Sequence, residues 1–271
     1  MKKNSLLKFF VITCISIIIP CNLYGLDMTV GATSWFAWGE QYNAQKVGNN
    51  NSSSKIKSAP SFLYGPALAA RFSNDFNFTF VFLYGNFDAT KDAGGGKKEK
   101  AEFKRIDSDF ALNYKLNDYF KVFIGAKYLA YDIVPADILI GTVQYNMQKV
   151  DPHKSYGGGL GASATIPITE NIFGLATLSG LYLQGNDKMV VEKQTGGFTS
   201  TYHNLKLSYN EYGINTTLAL AYYIAPASTV ISLGGRFQYI YADYKDNEIG
   251  LNYIGFTVYG VTLSATYTFR I

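Results

Sequence analysis

The chain has 271 residues, with 24 Lys and Arg, 20 Asp and Glu and two His. Three of the basic residues (Lys2, Lys3 and Lys8) and none of the acidic ones fall in the first 25 positions, so residues 26–271 carry 21 against 20 and lack the basic excess that a nucleic-acid partner requires. No later segment reaches about 18 consecutive apolar residues, which excludes helical membrane spans, while 22 Tyr and 19 Phe against seven Pro suit strands with one face to lipid and one to a polar interior.

Taken in chain order, the basic start runs into an apolar stretch from Phe9 to Pro20 and then to the small residue Gly25. This reads as a signal peptide over 1–25, because the apolar run is well short of the ~20 residues of a membrane helix. Pro20 stands where a lipoprotein signal needs a small residue before Cys21. Cys14 and Cys21 both lie inside this leader. Its removal leaves residues 26–271 with no disulfide framework.

Beyond the leader a period-2 stretch of about ten residues, followed by a connector, recurs ten times. The first two strands are predicted at 27 to 38 and 61 to 72. The third sets Phe78, Phe80, Phe82 and Tyr84 against Asn77 and Thr79. In the fourth, Ile106, Phe110, Leu112 and Tyr114 alternate with Arg105, Asp107, Asp109, Ala111 and Asn113. Charged groups cannot face lipid, so that second set must look into a lumen. The fifth sets Val122, Ile124 and Tyr128 against Lys121, Gly125 and Lys127, and the sixth to eighth fall at 155 to 167, 172 to 184 and 211 to 224. The ninth sets Ile231, Leu233, Phe237 and Tyr239 against Ser232, Gly234, Arg236 and Gln238, and the tenth sets Tyr259, Val261, Leu263, Ala265, Tyr267 and Phe269 against Gly260 and four hydroxylated residues.

Tight connectors rich in turn formers occur at Ser73-Asn74-Asp75, Leu116-Asn117-Asp118, Thr169-Glu170-Asn171 and Ala225-Pro226-Ala227-Ser228. Long ones are expected as loops at 39 to 60, 88 to 103, 133 to 154, 185 to 210 and 243 to 255. Short periplasmic turns and longer external loops give an all-β, closed, antiparallel up-and-down transmembrane barrel of ten strands, with both ends periplasmic. Pro66, inside the second strand, predicts a bulge.

These residues resemble the single-chain bacterial outer-membrane β-barrel proteins over essentially all of residues 26–271. The resemblance implies an outer-membrane location, lipid contacts and the barrel assembly machinery as partners, and it makes Tyr267 and Phe269 the alternating aromatic assembly signal, here followed by Arg270 and Ile271. Barrels of this size include the omptin-like proteases, with ten strands and an Asp-x-Asp and an Asp-x-His pair at the outer rim that activate and position a water. Asp107-Ser108-Asp109 and Asp151-Pro152-His153 match those pairs in residue type, but the second pair comes earlier in the chain than in that family. The two aspartates are therefore read as lumen charges balanced by Arg105 and Lys127, and His153 as a solvated loop residue.

Other chemistry finds little support. His203, with Ser200 and Asn204, lacks the strand context of an outer-membrane acyl-chain hydrolase. Gly157-Gly158-Gly159-Leu160-Gly161 continues as a strand with no following helix, so it is not a phosphate loop. Two histidines and no cysteine after the leader give no expectation of a metal site or other cofactor. What is expected is a lumen network in which Arg71, Arg105, Lys121, Lys127 and Arg236 reach towards Asp107 and Asp109, with Leu83, Phe123 and Leu129 narrowing the bore. The function expected is a non-enzymatic barrel whose polar loops, such as Asn49 to Ser54 and Gly94 to Lys100, meet an extracellular ligand or serve the envelope. The alternatives are a narrow channel for small solutes and, last, a rim protease.

Overall fold

The computed structural model describes residues 26–47, 50–92, 98–132, 138–140, 143–150, 152–195, 199–244 and 251–271, so the signal peptide expected over 1–25 lies outside the described residues. The wall consists of ten antiparallel strands in chain order. β1 is Asp27–Val47, and β2 runs in two pieces, Asn50–Ser58 and Ser61–Arg71, parted at Ala59 and Pro60. β3 is Phe76–Asp92, β4 Lys98–Lys115 and β5 Phe120–Tyr131. β6 is again in two pieces, Val143–Val150 and His153–Pro167, parted at Pro152. β7 is Ile172–Thr195, β8 Thr199–Ile224, β9 Thr229–Tyr244 and β10 Leu251–Arg270, and a short strand Ile138–Ile140 pairs with the first piece of β6. Each strand pairs with its chain neighbours, and β10 returns to β1 from Asp27 opposite Arg270 to Gln45 opposite Leu251, closing the barrel. Closure leaves no edge groups to be desolvated in a bilayer.

The period-2 pattern becomes two faces. Outward on the wall stand Leu112, Ile124, Leu160, Leu218, Leu233 and Leu263, all exposed. Two aromatic rings flank this band. Phe72, Phe76, Tyr114, Tyr119, Tyr222 and Tyr267 stand towards the four tight turns, and Tyr64, Tyr128, Tyr156, Tyr182, Tyr212 and Tyr239 towards the other end. Apolar bands between aromatic girdles are the mark of a barrel seated in a bilayer. Leu263 sits opposite Leu233 within the band, so Leu263→Arg is expected to cost about 2–4 kcal/mol of stability in lipid vesicles. An unchanged urea midpoint for that variant would invert the assignment of the two faces.

The tight turns are built by their first polar side chain. Ser73 Oγ accepts from the backbone N–H groups of Asp75 and Phe76, at 3.3 and 3.0 Å. Asn117 Oδ1 accepts from Tyr119 and Phe120, at 2.9 and 2.8 Å. Thr169 Oγ1 accepts from Asn171 and Ile172, at 3.4 and 3.1 Å. Such side-chain bonds replace ladder bonds where the chain reverses. The fourth turn is a 3₁₀ turn at Ala225–Ala227, with Pro226 supplying its fixed φ and Ser228 left-handed at φ 46°.

Two expectations are corrected. The long connectors are not loops for most of their length: β7 and β8 pair without interruption from Ile172 opposite Tyr222 to Thr195 opposite Thr199, and Asn50–Ser58 pairs with the upper part of β1. Alternation is weak in these polar stretches, but the backbone ladder continues because hydrogen bonding needs no particular side chain. Pro66 makes no bulge either. It sits opposite Ala32 in an unshifted register with β1, and the ladder to β3 merely lapses between Tyr64 and Ala67, where Pro66 has no N–H to give.

Candidate functional site

Inside the loop half of the barrel, every strand contributes a buried inward side chain, from Trp35 on β1 and Leu63 on β2 through Asp107 on β4 and Leu183 on β7 to Gln238 on β9 and Val258 on β10. The polar part of this layer gathers on Asp107. Lys127 donates to Asp107 Oδ1 and, at 2.7 Å, to Asp109 Oδ1. Arg105 Nη2 donates to Asp107 Oδ2 at 3.2 Å and also to Gln238 Oε1. Arg236 Nη2 lies 3.8 Å from Asp107 Oδ2 and 3.3 Å from Asp109 Oδ2, while its Nε donates to Asn215 at 3.0 Å. The Arg236 guanidinium also rests over the Trp35 ring, 4.6 Å from its centroid, where the ring face attracts a cation. Three cations around two carboxylates answer the cost of burying charge. Of the apolar side chains, Trp35, Leu63, Leu83, Phe87 and Val258 form one cluster on β1–β3 and β10.

Strand order and parity explain this meeting. Asp107 and Asp109 are two apart on β4 and so share the inner face, and Lys127 is opposite Asp109 in register. Arg71 and Lys121 belong elsewhere, a correction to the network expected from the sequence. Arg71 is the last residue of β2 and Lys121 the second of β5, so both stand near the tight turns, with Arg71 3.8 Å from Asp27. Tyr267 and Phe269 stack on each other near the end of β10, ring centroids 5.9 Å apart, and Arg270 Nε donates to Asp27 at 2.8 Å.

A second cluster lies towards the loop end, and the sequence reading missed it. His153 is wholly buried rather than solvated. Its Nδ1 is 2.8 Å from Asp187 Oδ2 and its Nε2 2.7 Å from Glu211 Oε1. Tyr131 and Tyr209 stack on the ring, at 4.5 and 4.0 Å between centroids. Tyr131 donates to Glu211 at 2.9 Å and Tyr244 to Asp187 at 3.1 Å. The correction has a plain cause: His153 opens the second piece of β6 and pairs with Tyr131, so it points inward with Ser155, not out with Lys154. Inward parity could have found Glu211, two residues before Gly213 and four before Asn215 on β8. Asp187 falls in the stretch 185 to 210, whose weak alternation reads as loop.

The chemistry of this cluster is restrictive. A carboxylate oxygen only accepts, so each ring nitrogen donates and the ring is an imidazolium. It has no lone pair with which to take a proton from water or to ligate a metal. Asp107 and Asp109 are likewise spent on cations. Asp151 and the side chains of Ser200, His203 and Asn204 lie outside the described residues. Gly157, Gly158 and Gly159 are paired on both sides as strand.

No family model and no curated protein matches the chain. Among solved structures it is similar to the outer membrane protease OmpT from Escherichia coli, at 11% identity and a TM-score of 0.54 over 90% of this chain and 97% of that one. It also aligns with the outer membrane protein OprG from Pseudomonas aeruginosa, at 12% identity and TM-score 0.38 over 92% and 97% of the two chains. A third alignment, to the Pseudomonas putida toluene transporter TodX, has 9% identity and TM-score 0.36 over 90% and 89%. The likeness to OmpT is one of fold. With its closed ladder, lipid band and two girdles, the chain is a single-chain, ten-stranded β-barrel of the outer-membrane type and of omptin size.

Proposed function

We propose that the protein is a closed, non-enzymatic barrel of the outer membrane that holds β-hairpins above the bilayer as a surface for extracellular contacts or as a structural element of the envelope. One observation carries this reading: buried inward side chains from all ten strands, with Asp107 and its three cations among them, close the loop half of the bore. Barrels of about eight strands hold just enough space for side chains, whereas about 16 to 18 strands leave an aqueous channel. Ten strands lie near the filled end. The hairpin of β7 and β8 supports display, since it continues from Tyr182 in the outer girdle to Thr195, roughly 40 Å of strand. Lipid of the outer membrane surrounds the band, and Tyr267 and Phe269 are the residues that the assembly machinery reads. The engaged nitrogens of His153 and the neutralised Asp107 and Asp109 count against a rim protease.

Purified protein in planar bilayers is expected to show no steady conductance, only small and infrequent openings. Stable openings approaching those of a general porin would overturn the reading in favour of a channel for small solutes. Metal-independent cleavage of basic peptides by the wild type, abolished in Asp107→Asn, would overturn it in favour of hydrolysis.

A further inference from the structure

Below the charge layer the bore is not filled. A cavity of about 560 Å³ runs from Asp27, Arg71 and Thr268 at the turn end up to Asp109, Lys127 and Asn215. That volume lies within the ~300–1,000 Å³ typical of small-molecule sites. The layer above it makes it a cup entered from the turns.

Its charge is unbalanced. At the mouth Asp27 meets both Arg71 and Arg270, and Lys115 pairs with Asp118 at 2.6 Å. Lys121 has no carboxylate partner among the described residues, and it shares a small cleft at the mouth with Arg71, Lys115, Asp75 and Asp118, so that with Arg270 and Asp27 the mouth holds four cations against three carboxylates. At the roof three cations face two carboxylates. Both ends of the cup therefore carry surplus positive charge, which low-dielectric walls concentrate within the cavity.

The hydrogen-bonding groups next to Lys121 are as specific. Lys121 on β5 is opposite Ser163 on β6, and Ser163 is opposite Thr177 on β7, so one cation and two hydroxyls form a continuous inward row. All three line the cavity. Elsewhere the walls satisfy themselves: Asn113 donates to Asn77 and Thr79, and Ser179 donates to the Asn215 carbonyl. The hydroxyls of Ser163 and Thr177 have no such partner among the described residues. They remain available to a ligand rich in oxygen.

We propose that this cup is a binding site for a small hydroxylated organic anion entering from the turn end, with Lys121 as the charge that fixes it and the Ser163 and Thr177 hydroxyls as its hydrogen-bonding neighbours. The site goes beyond a display role and does not depend on whether the roof ever parts.

Because no cysteine follows Cys21, Ser163→Cys provides the one thiol of residues 26–271, beside Lys121, and the protein is produced as those residues. Glucose 6-phosphate serves as the anionic probe, and glucose as its neutral control. In detergent-solubilised, heat-modifiable protein, the anionic sulfonatoethyl methanethiosulfonate is expected to modify that thiol about tenfold faster than the cationic trimethylammonium reagent. Glucose 6-phosphate should slow the reaction and glucose should not. Adding Lys121→Glu should remove or reverse the preference, and Thr177→Cys should behave as Ser163→Cys does. A thiol unreactive in both positions, a preference for the cationic reagent, or a preference unchanged by Lys121→Glu would each overturn the proposal. A bilayer recording separates the two readings, since steady conductance would sink the closed bore and leave charge-selective labelling of the cup untouched.

Discussion

Asp107→Asn is expected to lower the stability of the folded barrel by about 3–5 kcal/mol, the usual cost of removing one partner from a buried ion pair. Asparagine keeps the size of the side chain and removes its charge, so Arg105, Lys127 and Arg236 are left with Asp109 alone. Of the two carboxylates, Asp107 is the fully covered one, while Asp109 is about one-third exposed, which makes Asp107 the costlier loss. Urea titration in lipid vesicles, followed by tryptophan fluorescence, measures the change. Lys127→Met should also destabilise, because it leaves Asp107 with one donor fewer. The double variant should cost clearly less than the two singles together, since Asp107 and Lys127, each deprived of the other in a single variant, are then both gone, although Arg105 and Arg236 remain. In bilayers Asp107→Asn should increase brief openings, because three mutually repelling cations no longer pack across the bore. A single variant within about 1 kcal/mol of wild type would mean that water, not Asp107, satisfies those cations.

The ten strands were legible because alternation is a strong signal wherever one face meets lipid and the other a charged lumen, as at Asp107, Asp109 and Arg236 against Leu112 and Leu233. The same logic placed the tight turns, whose Ser73, Asn117 and Thr169 supply the side-chain oxygen that each reversal needs. Beyond the outer girdle the outward face no longer meets lipid and carries polar residues. Alternation then fades, and Asn50–Ser58 and the far ends of β7 and β8 read as loops although they are paired. The site was half legible for a related reason. Parity fixes which residues face inward but not their height along the bore, so Arg71 and Lys121 were grouped with charges that stand several residues further from the turns. Of the histidine cluster, His153, Asp187, Tyr209 and Tyr244 lie in stretches that read as loop, and Glu211 is the first residue of the eighth predicted strand.

His153→Ala is the sharpest test of that missed cluster. A solvated loop histidine could be removed silently. A buried imidazolium between Asp187 and Glu211 cannot, since its loss leaves two carboxylates with no cation and opens a gap between the rings of Tyr131 and Tyr209. The expected cost at neutral pH is about 3–5 kcal/mol, with desolvated charge the larger part and lost packing the smaller. The two parts separate by pH. Acid protonates the stranded carboxylates and removes their charge, so the deficit of the variant relative to wild type should shrink as the pH falls, while a packing defect would be indifferent to pH. Adding Glu211→Gln to His153→Ala should recover part of the loss at neutral pH, by leaving a single carboxylate that Tyr244 already serves. Vesicle unfolding curves for the three proteins at neutral and mildly acidic pH supply the comparison. A deficit that is small, or that stays constant across that range, would mean that His153 acts through its rings alone and that Asp187 and Glu211 find their protons elsewhere.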